Sequence, residues 1–470
     1  MLSLGPGIAY SRLLRLAPGA ATQTAGPALE CDACESWEHA TPTTYVFHLR
    51  PAMRWHDVAP VNGRALTAED VAYSLERLRT PGWPGAALLQ SLSSVAARDA
   101  LTVEVTLRYP DADLPLALAH GQSKLVAKEA VDLRGDLKSG PTIGTGPWVA
   151  ESVGQGGSTY RAYTAYVEHG FPGLDRLEIV AVSDAATRLT MVATGRADIA
   201  VLDDAAWEML LQSQLRVPLQ RAAFPQPGTG MLLGLKTDRP PFDRVEVRQA
   251  LFQAIDPWKA LETPGWEGKG EVGTGMPLPS PDWGLSRQEM QGYFDDAARA
   301  KGLLAGAGVQ EPVAFTLSLA DFGDKHLALG DAYAAMMRGA GFQPSVERLN
   351  PRLYAEQVWS RREFQAFLGP MPPVSTPNGF LLGMAHSQGQ YAVTGHADAD
   401  VDRLIMEQFG AETGRGERLR QVQQRMLEQA FLFMPASGAS LWVWSDRVKD
   451  FAPDFAASEY FHWARVRVGE

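Results

Sequence analysis

The stretch LKTDRPPFDRVEVRQALFQAI, Leu235 to Ile255, decides how this chain is organised. The apolar run Met231 to Leu235 reads as a strand. Pro240-Pro241 then stops both helix and central strand, because proline fixes φ and donates no hydrogen bond. From Phe242 to Ile255 the spacing predicts a helix. Val245 and Val247 stand near its start, and Ala250, Leu251, Ala254 and Ile255 form an apolar face at intervals of three and four. Pro257 ends or kinks it. A strand leaving one body, a stiff proline elbow and a helix entering another body describe a crossing between two lobes, with a ligand held between them.

Working outward, 470 residues exceed one ordinary core, so two or three domains are expected. No window approaches eighteen uninterrupted apolar residues, which excludes a transmembrane helix from the reading. A net charge of -11 argues against a nucleic-acid partner, whose affinity is built from clustered Lys and Arg. The only cysteines, Cys31 and Cys34, are spaced C-x-x-C. No second C-x-x-C and no H-x-x-x-H accompanies them, so they read as two loop cysteines, able to close a local disulfide in an exported protein, rather than as a redox or metal pair. MLSLGPGIAYSRLLRLAPGA lacks a basic region followed by a clean apolar core, and it has no lipobox cysteine.

Along the chain, TYVFHL (Thr44 to Leu49) alternates as a strand. Thr67 is an N-cap for AEDVAYSLERLR, with Glu69 and Asp70 favouring the positive end of that helix. LTVEVTL (Leu101 to Leu107) is a second alternating strand. Leu177 to Val182, Ala185 to Thr194 and Ile199 to Leu202 read as strand, helix and strand, a βαβ unit that implies local parallel sheet. Beyond the elbow, helices are expected over 295–305, 325–338, 352–359, 400–409 and 417–433. Strands are expected over 313–319, 344–348, 364–368 and 441–445.

Taken together and in order, ESWE (Glu35 to Glu38), TYVFHLRPAMRWHD (Thr44 to Asp57), LTAEDVAYSLERL (Leu66 to Leu78), GTGPW (Gly144 to Trp148), DAATRLTMVATGRADIA (Asp184 to Ala200), PPFDRVEVRQALFQAID (Pro240 to Asp256) and AARAKGLLAGAG (Ala297 to Gly308) are similar to the peptide/nickel-type extracellular solute-binding proteins of ABC importers, family 5. The resemblance runs from about residue 10 to the end. It implies an α/β two-lobe periplasmic-binding-protein clamshell (type II, cluster C) with an extra subdomain in lobe I. Lobe I would be 1–238 with the subdomain at about 36–174, lobe II 239–439, and 440–470 the return to lobe I. Hinge strands would lie near Leu235 and Leu441. It also implies no catalysis, no cofactor, no metal, and a monomer that delivers a small-molecule or peptide ligand to permease subunits at a membrane, from the periplasm or the extracellular face. Family members usually open with an export signal and one more strand ahead of the segment matching Ile8 to Arg15, so a start placed too late is expected. Peptide binders often carry an Asp in the loop matching Gly369 to Asn378, where it meets the peptide's ammonium. Here that loop reads GPMPPVSTPN and has no acid, and a buried ammonium without counter-charge is costly.

Ligand contacts are expected from Met371, Thr376 and Asn378 on that loop, from Trp442 and Trp444, which share one face of the return strand as core or cleft wall, and from Phe224 and Thr229 ahead of the first crossing. Arg54 and Asp57 serve the local fold. His386 and His396 read as surface histidines near the loop. Gly268-Lys269-Gly270-Glu271-Val272-Gly273 fits G-x-G-x-x-G but has no strand before it and no helix after it, so it reads as a loop. The function expected is a receptor that binds a peptide or similar solute. The alternatives are an intracellular ligand sensor of the same fold, or a receptor for an opine, oligosaccharide or metal chelate. An α/β enzyme would need an acid/base or nucleophile set, and no such motif is legible.

Overall fold

The computed structural model describes residues 6–17, 29–81, 83, 85–133, 135, 137, 140–213, 218–372, 374–411, 413–451 and 460–469, without the side chains of 6, 224–229, 281 and 460–462. The chain divides into two compact units, Met1–Phe224 with Ser440–Glu470, and Pro225–Ala439.

In the first unit, β1 (Leu14–Leu16) pairs antiparallel with β2 (Leu29–Cys31). β3 (Cys34–Thr41), β4 (Thr44–Leu49), β5 (Leu92–Ala97) and β6 (Thr102–Leu107) form an antiparallel sheet in the order β3-β4-β6-β5. The two cysteines are not loop residues. Cys31 ends β2, Cys34 opens β3, and a disulfide joins them. The alternation seen in TYVFHL sends Tyr45, Phe47 and Leu49 into a core with Val103, Val105 and Trp55. Val71 and Leu75 of the helix Ala68–Leu78 close that core.

The start of this helix is a capping box, with Thr67 at the N-cap as expected and Asp70 reaching back to it. The Asp70 carboxylate accepts from the Thr67 N–H (3.0 Å) and hydroxyl (3.2 Å). It also accepts the Trp55 indole N–H (3.3 Å) and both ends of the Arg64 guanidinium (2.7 Å each). Asp70 thus ties the RWHD stretch to the LTAEDV stretch.

β7 (Trp148–Gly154), β8 (Gly157–Ala162) and β9 (Arg176–Val180) make a three-stranded antiparallel sheet. β10 (Ile199–Leu202) pairs antiparallel with residues 441–444 instead. The expected βαβ unit is therefore absent, since β9 and β10 belong to different sheets. The reason is visible in β9, where RLEIV alternates between exposed and half-buried positions, the signature of a one-sided antiparallel strand.

The chain crosses into the second unit within β11 (Leu219–Leu235). The division falls at 224/225, ahead of the expected 238/239, because Met231 to Leu235 are hydrogen-bonded to β14 (Ala366–Pro370) and bury Leu233 and Leu235 in the core of the second unit. β12 (Val313–Ala320) lies parallel to both β13 (Phe342–Leu349) and β14. The helices Val245–Gln253, Ala297–Gly306 and Asp324–Gly339 contribute to the core on one face of this sheet. A second core, with Leu232, Phe367, Met371, Phe380 and Met434, lies on the other. β15 (Leu432–Ser445) carries the chain back, and β16 (Val448–Lys449) pairs with β17 (Arg467–Val468) near the end.

The helix after the proline elbow begins at Val245, three residues later than expected, and its Arg248 explains part of the VEVRQAL pattern. Arg248 is buried, donating to Gln429 O at the end of the helix Arg415–Gln429 (2.9 Å) and to Phe242 O in the elbow (2.9 Å). A cation there satisfies carbonyls that a helix end leaves open. Arg248→Ala is expected to lower the unfolding free energy by about 2–3 kcal/mol, read from the urea midpoint, because it strands buried acceptors. An unchanged midpoint refutes the clip.

Candidate functional site

In α/β sheets, ligands gather beyond the carboxyl ends of parallel strands. In the second unit those ends are Ala320 of β12, Leu349 of β13 and Pro370 of β14. The Met371 N–H donates to Gly230 O (3.0 Å), so this edge of the sheet is the one where β11 comes in. β15 leaves by the same edge, where Ser437 and Glu271 bond backbone to backbone (2.9 Å) and through the Ser437 hydroxyl (3.0 Å). Three loops therefore meet along one edge: 321–323, 371–376 and 268–273.

The loop after β14 is held by its own side chains. Gly369 lets the strand lie against its neighbours, since a Cβ there would come within 2.4 Å of the Tyr354 ring and 2.6 Å of Ala320. Met371 is buried in the second core. The Thr376 hydroxyl accepts from Gly379 N (3.1 Å) and caps the helix Pro377–Phe380. Asn378 is buried. Its Oδ1 accepts from Gln408 Nε2 (2.8 Å) and Arg415 Nη2 (3.1 Å), and its Nδ2 donates to Phe409 O (3.2 Å). The structure brings these three expected ligand residues together and engages each in shaping the loop.

The other expected contacts belong to the long strands β11 and β15. Trp442 and Trp444 sit in an aromatic cluster of the first unit with Phe451 and Trp463, and the Trp442 indole N–H donates to Ser440 Oγ (2.8 Å). Phe224 and Thr229 belong to β11, but their side chains fall outside the described residues. His396 is not a surface histidine. It is 5% exposed, stacks on Phe431 at 3.9 Å, and bonds to Thr394 Oγ1 (2.7 Å) and Ala385 O (2.6 Å); burial lowers its pKa. Its position between Thr394 and the 381–385 turn was not legible from spacing. His386 is half-buried near Asp402, at 3.7 Å. Among the described residues no group of three or more His, Cys, Asp or Glu could hold a metal ion.

The run from Gly268 to Gly273 is a loop that ends in a bridge to Met434. Glu271 is the one ionisable side chain here with no hydrogen-bond or ion-pair partner among the described residues. The glycine spacing that marks the run gives no signal for its acid.

In the first unit, GTGPW and RWHD meet at His56. The ring is fully buried, accepts from Gly144 N at Nδ1 (3.3 Å) and donates from Nε2 to Gly146 O (2.9 Å). This holds it as the neutral tautomer. Burial lowers its pKa to about 4, against the opposing pull of the bond to Gly146 O. Arg54 bonds to Gly63 O (3.1 Å), and Asp57 packs beside Gly63, both within the local fold.

Comparison with known proteins follows these features. The model described as "Bacterial extracellular solute-binding proteins, family 5 Middle" matches residues 28–392. Heme-binding protein A of Haemophilus influenzae is 30% identical over 323 residues, 64% of this chain and 56% of that protein. The dipeptide-binding protein of Escherichia coli is 26% identical over 326 residues, 64% of this chain and 58% of that protein. The chain thus spans a little over half the length of these curated relatives. Among solved structures, a putative peptide-binding protein AppA from Clostridium difficile superposes with a TM-score of 0.83 at 17% identity, covering 99% of this chain and 96% of that one. AgaA of A. tumefaciens R10, in complex with agropinic acid, gives 0.69 at 20% identity, covering 99% and 94%. The fold is thus that of the α/β two-lobe solute-binding proteins. The chain belongs to the bacterial extracellular solute-binding proteins of family 5.

Proposed function

We propose that this protein is the substrate-binding receptor of an ABC importer, a monomer that binds a peptide or similar small solute reversibly, without turnover, and presents it to a membrane permease. The observation that carries this reading is the family match across residues 28–392, joined to a fold shared along almost the whole chain. The names of relatives support the substrate class: dipeptide and heme among those similar in sequence, and agropinic acid among those similar in fold. The Cys31–Cys34 disulfide favours an exported receptor over an intracellular sensor, since such bonds persist in oxidising compartments. No helix among the described residues is long and apolar enough to cross a membrane, so contact with the bilayer would come through the permease or an anchor.

The acid-free loop GPMPPVSTPN favours a second cargo reading, a solute such as an opine that brings its own carboxylates. Thermal-shift screening against di- and tripeptides, opines, oligosaccharides and metal chelates distinguishes the two. A true cargo at a hundredfold excess over Kd should add about 2.7 kcal/mol to the unfolding free energy. Mass spectrometry of the incubated hit should recover it unchanged. A chemically converted product in its place would make the protein an enzyme and overturn the reading.

A further inference from the structure

We infer that Glu271 recognises a cationic group, an ammonium or guanidinium, on the transported solute, and so selects positively charged cargo; this rests on the receptor reading above. The placement carries the argument. Residues 271–273 run extended against 434–437, held at both ends by backbone bonds between Gly273 and Met434 and between Ser437 and Glu271. Side chains in an extended segment alternate between faces. Val272 packs into the core lined by the helices Val245–Gln253 and Ala297–Gly306, so Glu271 turns to the opposite face. That is the face of Met434 and Met371, the second core of this unit.

Glu271 and the loop 371–376 therefore share one face and one edge of the sheet. The steps between them are Ser437 on β15, Gly230 on β11 and Met371 after β14. Three strand spacings make roughly 14 Å, the reach of a solute of a few residues. Among the described residues no cation answers this carboxylate. Residues 371–376 are uncharged, and the nearby Lys269 turns its amine back to Gly265 O (3.3 Å). Glu271 is open to solvent, yet the surrounding protein desolvates it enough to raise its pKa, as expected of a carboxylate placed to meet a partner. The acid missing from the loop after β14 is thus supplied by a different loop.

The test uses the full chain and three peptide libraries: tripeptides with free amino termini, the same set N-acetylated, and an N-acetylated set bearing one lysine or arginine. Affinities are measured for wild type, Glu271→Gln and Glu271→Ala. The expected result is that cation-bearing members bind wild type and cation-free members do not. Both variants should keep the unliganded melting temperature and lose affinity by roughly 10- to 100-fold, the worth of a hydrogen bond to a charged group. Equal binding of acetylated, cation-free members overturns the proposal, as does variant affinity within about twofold of wild type. A cation-free opine or sugar binding where peptides fail overturns it too, while the receptor reading stands. If no solute of any class binds wild type, both fall.

Discussion

Gly144→Ala is expected to destabilise the protein by at least about 3 kcal/mol, the upper range for an overpacked core site. A Cβ at this position would lie 1.8 Å from Ala9 O and 2.5 Å from Ala9 C. Both are backbone atoms, so no side chain can swing away to relieve the clash. The backbone would have to move, and with it the Gly144 N–H that holds His56 and the His56 N–H that donates to Gly144 O (2.9 Å). Gly154→Ala is the matched control. It also lies in the first unit, nothing stands within 4 Å of its added Cβ, and its midpoint should move by less than about 0.5 kcal/mol. Urea unfolding of the two variants beside wild type measures the contrast. Equal small shifts would mean that Ala9 and Gly144 are not held together.

Acidification is expected to remove about 3 kcal/mol of stability through His56 alone between pH 7 and pH 4. The sign follows from its folded pKa of about 4 against an unfolded value of 6.5. Between those values the unfolded chain binds a proton that the folded chain refuses. Stability is therefore full above pH 6.5 and falls as the pH drops toward 4, at about 1.4 kcal/mol per unit. His396, also buried and lowered by desolvation, acts in the same direction. Other groups titrate as well, so the useful quantity is a difference. His56→Asn, which does not titrate, should be less stable than wild type at pH 7, and the gap should close by about 3 kcal/mol at pH 4. A gap that stays constant with pH would show that His56 is protonated in the folded protein.

Much of the fold was legible because local pattern and tertiary environment agreed. Thr44 to Leu49 and Ile199 to Leu202 came out with the bounds that their apolar patterns predict. The helix Ala68–Leu78 followed directly behind Thr67 as its N-cap. Failures came where local signals pointed the wrong way. β15 begins at Leu432, nine residues before the expected strand, because Pro435 and Gly438 argue against a central strand that long-range pairing nonetheless builds. The site was less legible than the fold. Asn378 was picked out on a proline-rich loop, but its partners Gln408 and Arg415 lie 30 and 37 residues away, and no spacing rule connects them. Glu271 came to the sheet edge only through its pairing with Ser437, 166 residues further on.

The way β10 is paired also sets a timetable. Ile199 to Leu202 wait for Leu441 to Trp444, and Asp198 waits for Arg447, 249 residues downstream, whose guanidinium it binds. A ribosome adding roughly 5–20 residues per second needs on the order of 12–50 s to cover that interval. Everything needed for the second unit, Pro225 to Ala439, is made during the wait. Whatever keeps the open edge of β10 from other strands in that time, whether a chaperone or delayed folding, governs how much protein is recovered. Yield should therefore respond to changes in the speed of translation between residues 203 and 440 more than to equal changes upstream.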